Sequence, residues 1–216
     1  MKFDSIIWDW NGTLLNDVTI AVDSINHLLH DRDLELLTIE RYLDVFTFPV
    51  QDYYELIGFD LKTEPFEIPA FQFISIYNKA VEDCGLHDEV VTILSRLRDQ
   101  GYRQFILSAM EQQVLEKTVT DNDIHHFFED LCGLSDNFAV SKVANGKSLI
   151  NKRGLDPERT LMVGDTIHDF EVAQAIGCKC VLVAKGHQSK KRLLTTGAHV
   201  LDGLAEIEFL QKQNDR

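Results

Sequence analysis

Ile6-Ile7-Trp8-Asp9-Trp10-Asn11-Gly12-Thr13 is an apolar run that ends on a carboxylate and turns at a glycine. Lys2 to Trp8 reads as a strand with a buried end. Asp9 then stands at the strand's carboxyl end. Gly12 allows a sharp turn that exposes the carboxylate and presents backbone N–H groups to an anion. A carboxylate held in this way can attack phosphorus and form an aspartyl-phosphate. The plainer alternative is an aspartate that hydrogen-bonds its own turn.

Three more segments share the pattern or complete it: Phe105-Ile106-Leu107-Ser108, Ser141-Lys142, and Met162-Val163-Gly164-Asp165-Thr166-Ile167-His168-Asp169. If the apolar runs are parallel strands, their polar tips meet at one edge of the sheet. That edge is where open α/β sheets bind ligands. Ser108 follows a strand, and its hydroxyl and the N–H of Ala109 can receive a phosphoryl oxygen. Asp165 and Asp169 lie four apart across a strand-to-helix junction and, with Asp9, offer the oxygen-rich surroundings that magnesium prefers. The alternative makes Asp165 a turn residue and Asp169 a helix cap. Lys142 and Lys147 are both candidates to neutralise phosphate and carboxylate charge; the usual fate of lysine is a solvated surface.

The rest of the chain supports an α/β fold. Residues 17 to 31 form a helical pattern that Asp17 can cap, with Ala21, Ile25, Leu28 and Leu29 as its stripe. Thr38 caps a second helix through Phe46, Pro49 opens a third that Gly58 ends, and a fourth runs from Pro69 to Cys84. Residues 16 to 86 are therefore all-helical. Beyond them, strands at 104–107, 128–133, 160–163, 179–183 and 198–201 alternate with helices at 88–99, 111–119, 145–153 and 168–176, and a closing helix spans 203–212. Such alternation implies βαβ units and a parallel, Rossmann-like sheet. The expected organisation is an α/β core of residues 1–15 and 87–216, with residues 16–86 inserted as an all-helical cap above the ligand edge. The tail from Gln211 to Arg216 is polar and expected to fray.

Composition bounds the function. The 216 residues carry a formal net charge of −14, which argues against a polyanionic partner such as nucleic acid. No apolar run approaches the ~20 residues of a membrane span, and Met1-Lys2-Phe3-Asp4 lacks a signal peptide's apolar stretch. Cys84, Cys132, Cys178 and Cys180 have no zinc-site spacing and read as reduced, buried thiols of a cytoplasmic protein. A monomer or weak homodimer is expected.

Together, and in this order, the four segments resemble the haloacid dehalogenase superfamily, over nearly the whole length. The helical insertion is similar to that superfamily's alpha-helical cap, and the phosphoglycolate-phosphatase-like hydrolases are the most similar branch. The resemblance implies Asp9 as nucleophile, Ser108 as phosphate binder, Asp165 as magnesium ligand and Asp169 as its support. It implies that the residue two after the nucleophile, here Asn11, ligates metal through its backbone carbonyl. It also favours Lys142, ahead of the helix that ends at Gly154-Leu155-Asp156-Pro157, as the site lysine, with Lys147 as runner-up.

Asn11 departs from the pattern. The family's phosphatases and mutases usually have aspartate there, to protonate the leaving group and then activate water. An amide does neither, and losing a general acid/base typically costs about 10²–10⁴ in rate. Three readings follow: a substrate with a good leaving group, such as an acyl or aryl phosphate or pyrophosphate; substitution by another group such as His168; or a protein that binds phosphorylated ligands and turns them over poorly. Dehalogenases lack the metal pattern of Asp165 and Asp169. Phosphonate cleavage needs a lysine in the helical insertion, with Lys62 or Lys79 as candidates. The expected activity is a magnesium-dependent phosphohydrolase for a small phosphorylated metabolite. Phe46-Thr47-Phe48-Pro49-Val50 and Asp52-Tyr53-Tyr54 can face its pocket or pack among themselves, and a second anion on the substrate would call on Arg32, Arg41, Lys62 or Lys79.

Overall fold

The central strand β1 (Ser5–Trp8) is flanked by β2 (Arg103–Glu111) on one side and β4 (Thr160–Gly164) on the other, both parallel to it. β3 (Asp130–Leu134), β5 (Lys179–Val183) and β6 (His199–Leu201) complete a six-stranded, all-parallel sheet in the order β3-β2-β1-β4-β5-β6. This is the doubly wound, Rossmann-like order, in which the chain leaves β1 in both directions. The computed structural model describes residues 3–135 and 142–210. Ser141 and the tail 211–216 lie outside the described residues.

Side-chain alternation explains why both faces of the sheet are covered. Ile7, Phe105 and Met162 stand opposite one another in register and pack on α7 (Lys142–Arg153) and α8 (Ile167–Ile176) through Leu149, Ile150, Val172 and Ile176. Their neighbours Ile6, Trp8, Ile106, Leu161 and Val163 point to the other face, against α5 (Val90–Asp99) and α6 (Gln112–Asp121). A strand buried on both sides reads as a near-continuous apolar run, as β1 does from Ile6 to Trp8. The buried indole N–H groups find partners: Trp8 donates to Gln104 Oε1 at 3.2 Å and Trp10 to Thr118 Oγ1 at 3.1 Å.

Between β1 and α5 the chain is helical: α1 (Val18–His30), α2 (Ile39–Val45), α3 (Val50–Leu56) and α4 (Glu67–Ala80). It leaves and returns side by side, with Asn16 N–H donating to Gly85 O at 3.0 Å and His87 N–H to Leu14 O at 3.1 Å. Thr38 caps α2 through Arg41 N–H, as its sequence position suggests. A short α9 (Lys190–Leu193) precedes β6. Among the described residues, no helix is long and apolar enough to cross a membrane.

β1 begins at Ser5, later than the strand expected from Lys2, and four further local readings change. Asp17 sits at the N-cap position of α1 but makes no side-chain cap bond, because its carboxylate is drawn into the ligand edge. β2 does not stop at Leu107; it runs through Ser108 to Glu111, its pairing to β3 shifting register between Leu107 and Glu111. α7 starts at Lys142, three residues before the expected Asn145. The closing element is a 3-10 turn, Leu204–Leu210, where a helix over 203–212 was expected.

Candidate active site

The carboxyl ends of β1 and β4 lie side by side at the point where the strand order reverses. Asp9 extends β1 by one more ladder bond, its N–H donating to Val163 O at 2.8 Å. Its carboxylate is buried and receives the Lys142 ammonium on Oδ1. Lys142, from the first turn of α7, also donates to Asp169 Oδ1 at 2.6 Å and is only 4% exposed. Lys147 lies exposed farther along the same helix. The geometry thus brings Lys142, not Lys147, to the carboxylates.

Asp165 and Asp169 arrive from the β4–α8 junction. Thr166 and Asp169 form a reciprocal capping box: Thr166 Oγ1 accepts from Asp169 N–H, and Asp169 Oδ2 accepts from Thr166 N–H at 3.0 Å. Asp169 is therefore a helix cap on one oxygen, as the plainer sequence reading had it, and a Lys142 partner on the other. Asp165 Oδ2 accepts from His187 N–H at 2.6 Å, and its Oδ1 lies 2.9 Å from Thr13 Oγ1. The same hydroxyl is 3.2 Å from Asp9 Oδ2. Carboxylate oxygens of Asp9, Asp165 and Asp169 lie within 4.8 Å of one another.

These backbones approach so closely that glycine is required. Gly12 adopts φ 72°, and a Cβ there would stand 2.5 Å from Asp165 Oδ2. At Gly186 a Cβ would fall on the Asp165 carboxylate itself.

Charge is unevenly matched. Burial first, then the Asp169 carboxylate, push the Asp9 carboxyl well above the usual carboxylate range. Burial also carries Asp165 up to about 6. Burial works against ionised Asp169, but Lys142 and the Thr166 bonds outweigh it and hold that group low. Burial likewise opposes the Lys142 charge, and Asp169 and Asp9 more than restore it. One ammonium thus meets two of the three buried carboxylates, Asp9 and Asp169. The donor set, hard oxygens short of positive charge, fits a divalent cation such as magnesium, with Asp9, Asp165 and Asp169 as the side chains to hold it.

Asn11 is wired into a second cluster. Its Nδ2 donates to Asp17 Oδ2 at 3.1 Å and to the Tyr77 hydroxyl at 2.7 Å, and its Oδ1 accepts from Ser108 Oγ at 3.3 Å. Tyr77 donates to the same Asp17 oxygen. Asp17 Oδ1 accepts Gly12 N–H at 2.7 Å and lies 3.3 Å from His187 Nε2, while His187 Nδ1 meets the Tyr42 hydroxyl at 2.9 Å. Within the turn expected to present backbone N–H groups to an anion, the Gly12 N–H is engaged by Asp17 and by Leu15 O. Burial opposes charge on both members of the Asp17–His187 pair; for Asp17 the His187 charge together with hydrogen bonds from His187, Tyr77 and Asn11 outweighs it, and for His187 the Asp17 charge and hydrogen bond with the Asp165 and Asp9 charges do, leaving Asp17 low and His187 raised to about 9.

The sequence reading did not place Asp17, Tyr77 or His187 in the site. An aspartate before an apolar helix signals a cap, and Tyr77 signals core. The signal that could have found His187 is its place just after the strand at 179–183, where a loop emerges at this edge of the sheet. Ser108 is fully buried and also accepts Met110 N–H at 3.0 Å; Ala109 is exposed and lines the pocket. His168 lines it too, stacked on Phe48 with ring centroids 4.5 Å apart, and burial lowers its affinity for a proton.

Above the carboxylates is a cavity of about 590 Å³, bounded by the β1, β2 and β4 ends below and by α1, α3, α4 and the α2–α3 loop above. Residues 6–183 match the family profile of the haloacid dehalogenase-like hydrolases. The chain belongs to that family. Relatives of this haloacid dehalogenase-like hydrolase include a phosphoglycolate phosphatase of Aliivibrio fischeri, 25% identical over 84% of each chain. Another is the pyrophosphatase PpaX of Bacillus cereus, 26% identical over 85% of this chain and 84% of the relative. The crystal structure of a protein described as a predicted phosphoglycolate phosphatase from Haemophilus somnus superposes with a TM-score of 0.78 at 22% identity, covering 98% of this chain and 99% of that one. One described as a predicted phosphatase from Clostridium acetobutylicum gives 0.80 at 18% identity, covering 98% and 100%. These structures share the fold of this hydrolase.

Proposed function

We propose that this haloacid dehalogenase-like hydrolase is a magnesium-dependent phosphatase of a small phosphorylated metabolite, working through an aspartyl-phosphate on Asp9. The observation that carries the reading is the Asp9–Lys142–Asp169–Asp165 cluster, buried at the switch point and open to one cavity. The activities named for the relatives, phosphoglycolate and pyrophosphate hydrolysis, agree with it.

In this account an Asp9 oxygen forms a bond to phosphorus while the ester oxygen leaves with its electron pair. Water then cleaves the aspartyl-phosphate, releasing phosphate and restoring Asp9. Lys142 and Ser108, with the N–H of Ala109, hold the phosphoryl oxygens and offset their charge. Asp9, Asp165, Asp169 and the Asn11 backbone carbonyl would hold the cation, which supplies positive charge against the transferring phosphoryl group. Residues 16–86 act as a helical cap that closes over the substrate to exclude water and opens to release product. The adjacent exit and return of the chain, at Leu14–Asn16 and Gly85–His87, suit a hinge. The same reading makes the protein cytoplasmic, monomeric or weakly dimeric, with no nucleic-acid or membrane partner.

A second reading rests on Asn11. Its amide donates to Asp17 and Tyr77 and has no proton to give a leaving group. A protein that binds a phosphorylated ligand without efficient turnover would have this site. Phosphate release from a phosphometabolite panel with magnesium, run beside Asp9→Asn, separates the two. Magnesium-dependent release lost in Asp9→Asn supports the phosphatase; micromolar ligand binding without release supports the binding protein.

A further inference from the structure

Among the described residues, the cavity above the carboxylates has one permanent cation on its wall, and that cation is already engaged. Among its described residues are five carboxylates, Asp9, Asp17, Glu111, Asp165 and Asp169, and a single ammonium, Lys142, bonded to two of them. No arginine lines it. Arg32 is committed to Glu64 at 2.7 Å and to Gln72, while Arg41, Lys62 and Lys79 are off the wall, the last three exposed. His187 turns one ring nitrogen to Asp17 and the other to Tyr42. His168 lies face-on to Phe48, with Nδ1 3.6 Å from Glu171. The undescribed residues 136–141, Asp-Asn-Phe-Ala-Val-Ser, contain no lysine or arginine; Lys2, Lys212 and Arg216, at the two chain ends, are the cations outside the described residues.

The wall away from the carboxylates is apolar. Phe46, Phe48, Tyr54, Phe66, Phe73 and Met110 line it. Phe48 packs edge-on against Phe46 at 5.4 Å and stacks on His168, so one side of the cavity is aromatic down to the neighbour of Asp169.

Resting on the phosphatase reading above, we infer that the substrate is a phosphate monoester whose leaving group is an uncharged aromatic alcohol, an aryl phosphate. Two independent features lead there. A second carboxylate or phosphate on the substrate would enter a pocket already rich in like charge, with no free cation to pair with, a costly arrangement. An aryl group would instead find aromatic partners for stacking and edge contacts. Asn11 adds the chemical reason. A phenol ionises near pH 10, like a tyrosine side chain, against about 15.7 for water. An aryloxide therefore departs with its electron pair without receiving a proton from position 11 and is protonated by solvent after release. The phosphorus passes from the aryl oxygen to Asp9 and then to water, so the overall reaction consumes one water and yields phenol and phosphate.

The test compares kcat/KM with magnesium for four monoesters: phenyl, 4-carboxyphenyl and benzyl phosphate, and 2-phosphoglycolate. The two phenyl esters have similar leaving groups and differ in charge; phenyl and benzyl phosphate share apolarity and differ in leaving group. Phenyl phosphate is expected to exceed each of the others by about tenfold or more. Ile74→Arg, which adds a guanidinium to the wall, should narrow the phenyl to 4-carboxyphenyl gap by about tenfold. Asp9-dependent turnover in which 4-carboxyphenyl phosphate or phosphoglycolate equals phenyl phosphate overturns the inference while leaving the phosphatase intact. Calorimetric binding of phenylphosphonate and phosphonoacetate provides a readout independent of turnover. Tighter binding of phenylphosphonate with no hydrolysis of any ester keeps the pocket assignment and removes the catalytic reading. Equal or tighter binding of phosphonoacetate overturns the pocket assignment.

Discussion

Asn11→Asp would restore the acid usual in phosphatases of this family, yet it should destabilise the protein at neutral pH. The Asn11 amide nitrogen is 3.1 Å from Asp17 Oδ2 and 2.7 Å from the Tyr77 hydroxyl. A carboxylate in its place would set oxygen against oxygen. Tyr77 has one proton, already donated to Asp17, so it cannot serve both acids. At 3.1 Å and an effective dielectric constant of about 20, the repulsion is about 5 kcal/mol. Protonating one carboxyl sets a ceiling: from a reference pKa of about 3.9, holding a proton at pH 7 costs about 4 kcal/mol. Allowing for relaxation, a loss of about 2–4 kcal/mol at pH 7 is expected. The sign of its pH dependence follows from a folded-state pKa raised above the unfolded value. The protonated pair is tolerated below about pH 4, and the deficit grows as pH rises through the raised pKa. Urea unfolding of wild type and variant in EDTA, between pH 5 and 8, measures it. Asn11→Asp combined with Asp17→Asn, which exchanges donor and acceptor, should recover part of the loss. A variant as stable as wild type at pH 7.5, or one whose deficit shrinks as pH rises, would refute the argument.

Lys142→Met strands Asp9 and Asp169 without their ammonium and should cost about 3–5 kcal/mol in EDTA; magnesium should return part of this, read as a larger rise in urea midpoint than wild type shows. Gly186→Ala places a methyl on the Asp165 carboxylate and should weaken magnesium binding by roughly tenfold or more, measured by titration calorimetry. Burial pushes the thiols up, Cys84 and Cys178 to about 12 and Cys132 to about 11. Iodoacetamide at pH 7.5 should therefore label the folded protein roughly 100-fold more slowly than the urea-unfolded chain, followed by intact mass.

The sheet edge was legible because strand and site share one signal. An apolar run ending in Asp9, Ser108 or Asp165 marks both a buried strand and the place where its polar tip emerges. Lys142 was harder to choose, since the residues alone left Lys142 and Lys147 both open; the family resemblance favoured Lys142, and the start of α7 beside Asp9 and Asp169 separates them. The Asp17 cluster was not legible. An N-cap aspartate and a carboxylate committed to Tyr77 and His187 look alike until residues 60 and 170 positions away are brought beside it. β2 extends past Leu107 because Glu111 pairs with Leu134 across a register shift, a tertiary effect that Ser108-Ala109-Met110 does not announce. The cavity's shortage of free cations followed from placement: Arg32 was a candidate anion binder by sequence, and Glu64 occupies it.

The most direct test of the central claim, that Asp9 is the phosphoryl acceptor, is kcat/KM for the best monoester with magnesium in wild type and Asp9→Asn. The account predicts metal-dependent phosphate release that falls by about 10³-fold or more in the variant, which keeps its fold and its affinity for phenylphosphonate. An Asp9→Asn enzyme that turns over the same ester at a rate near wild type would contradict it.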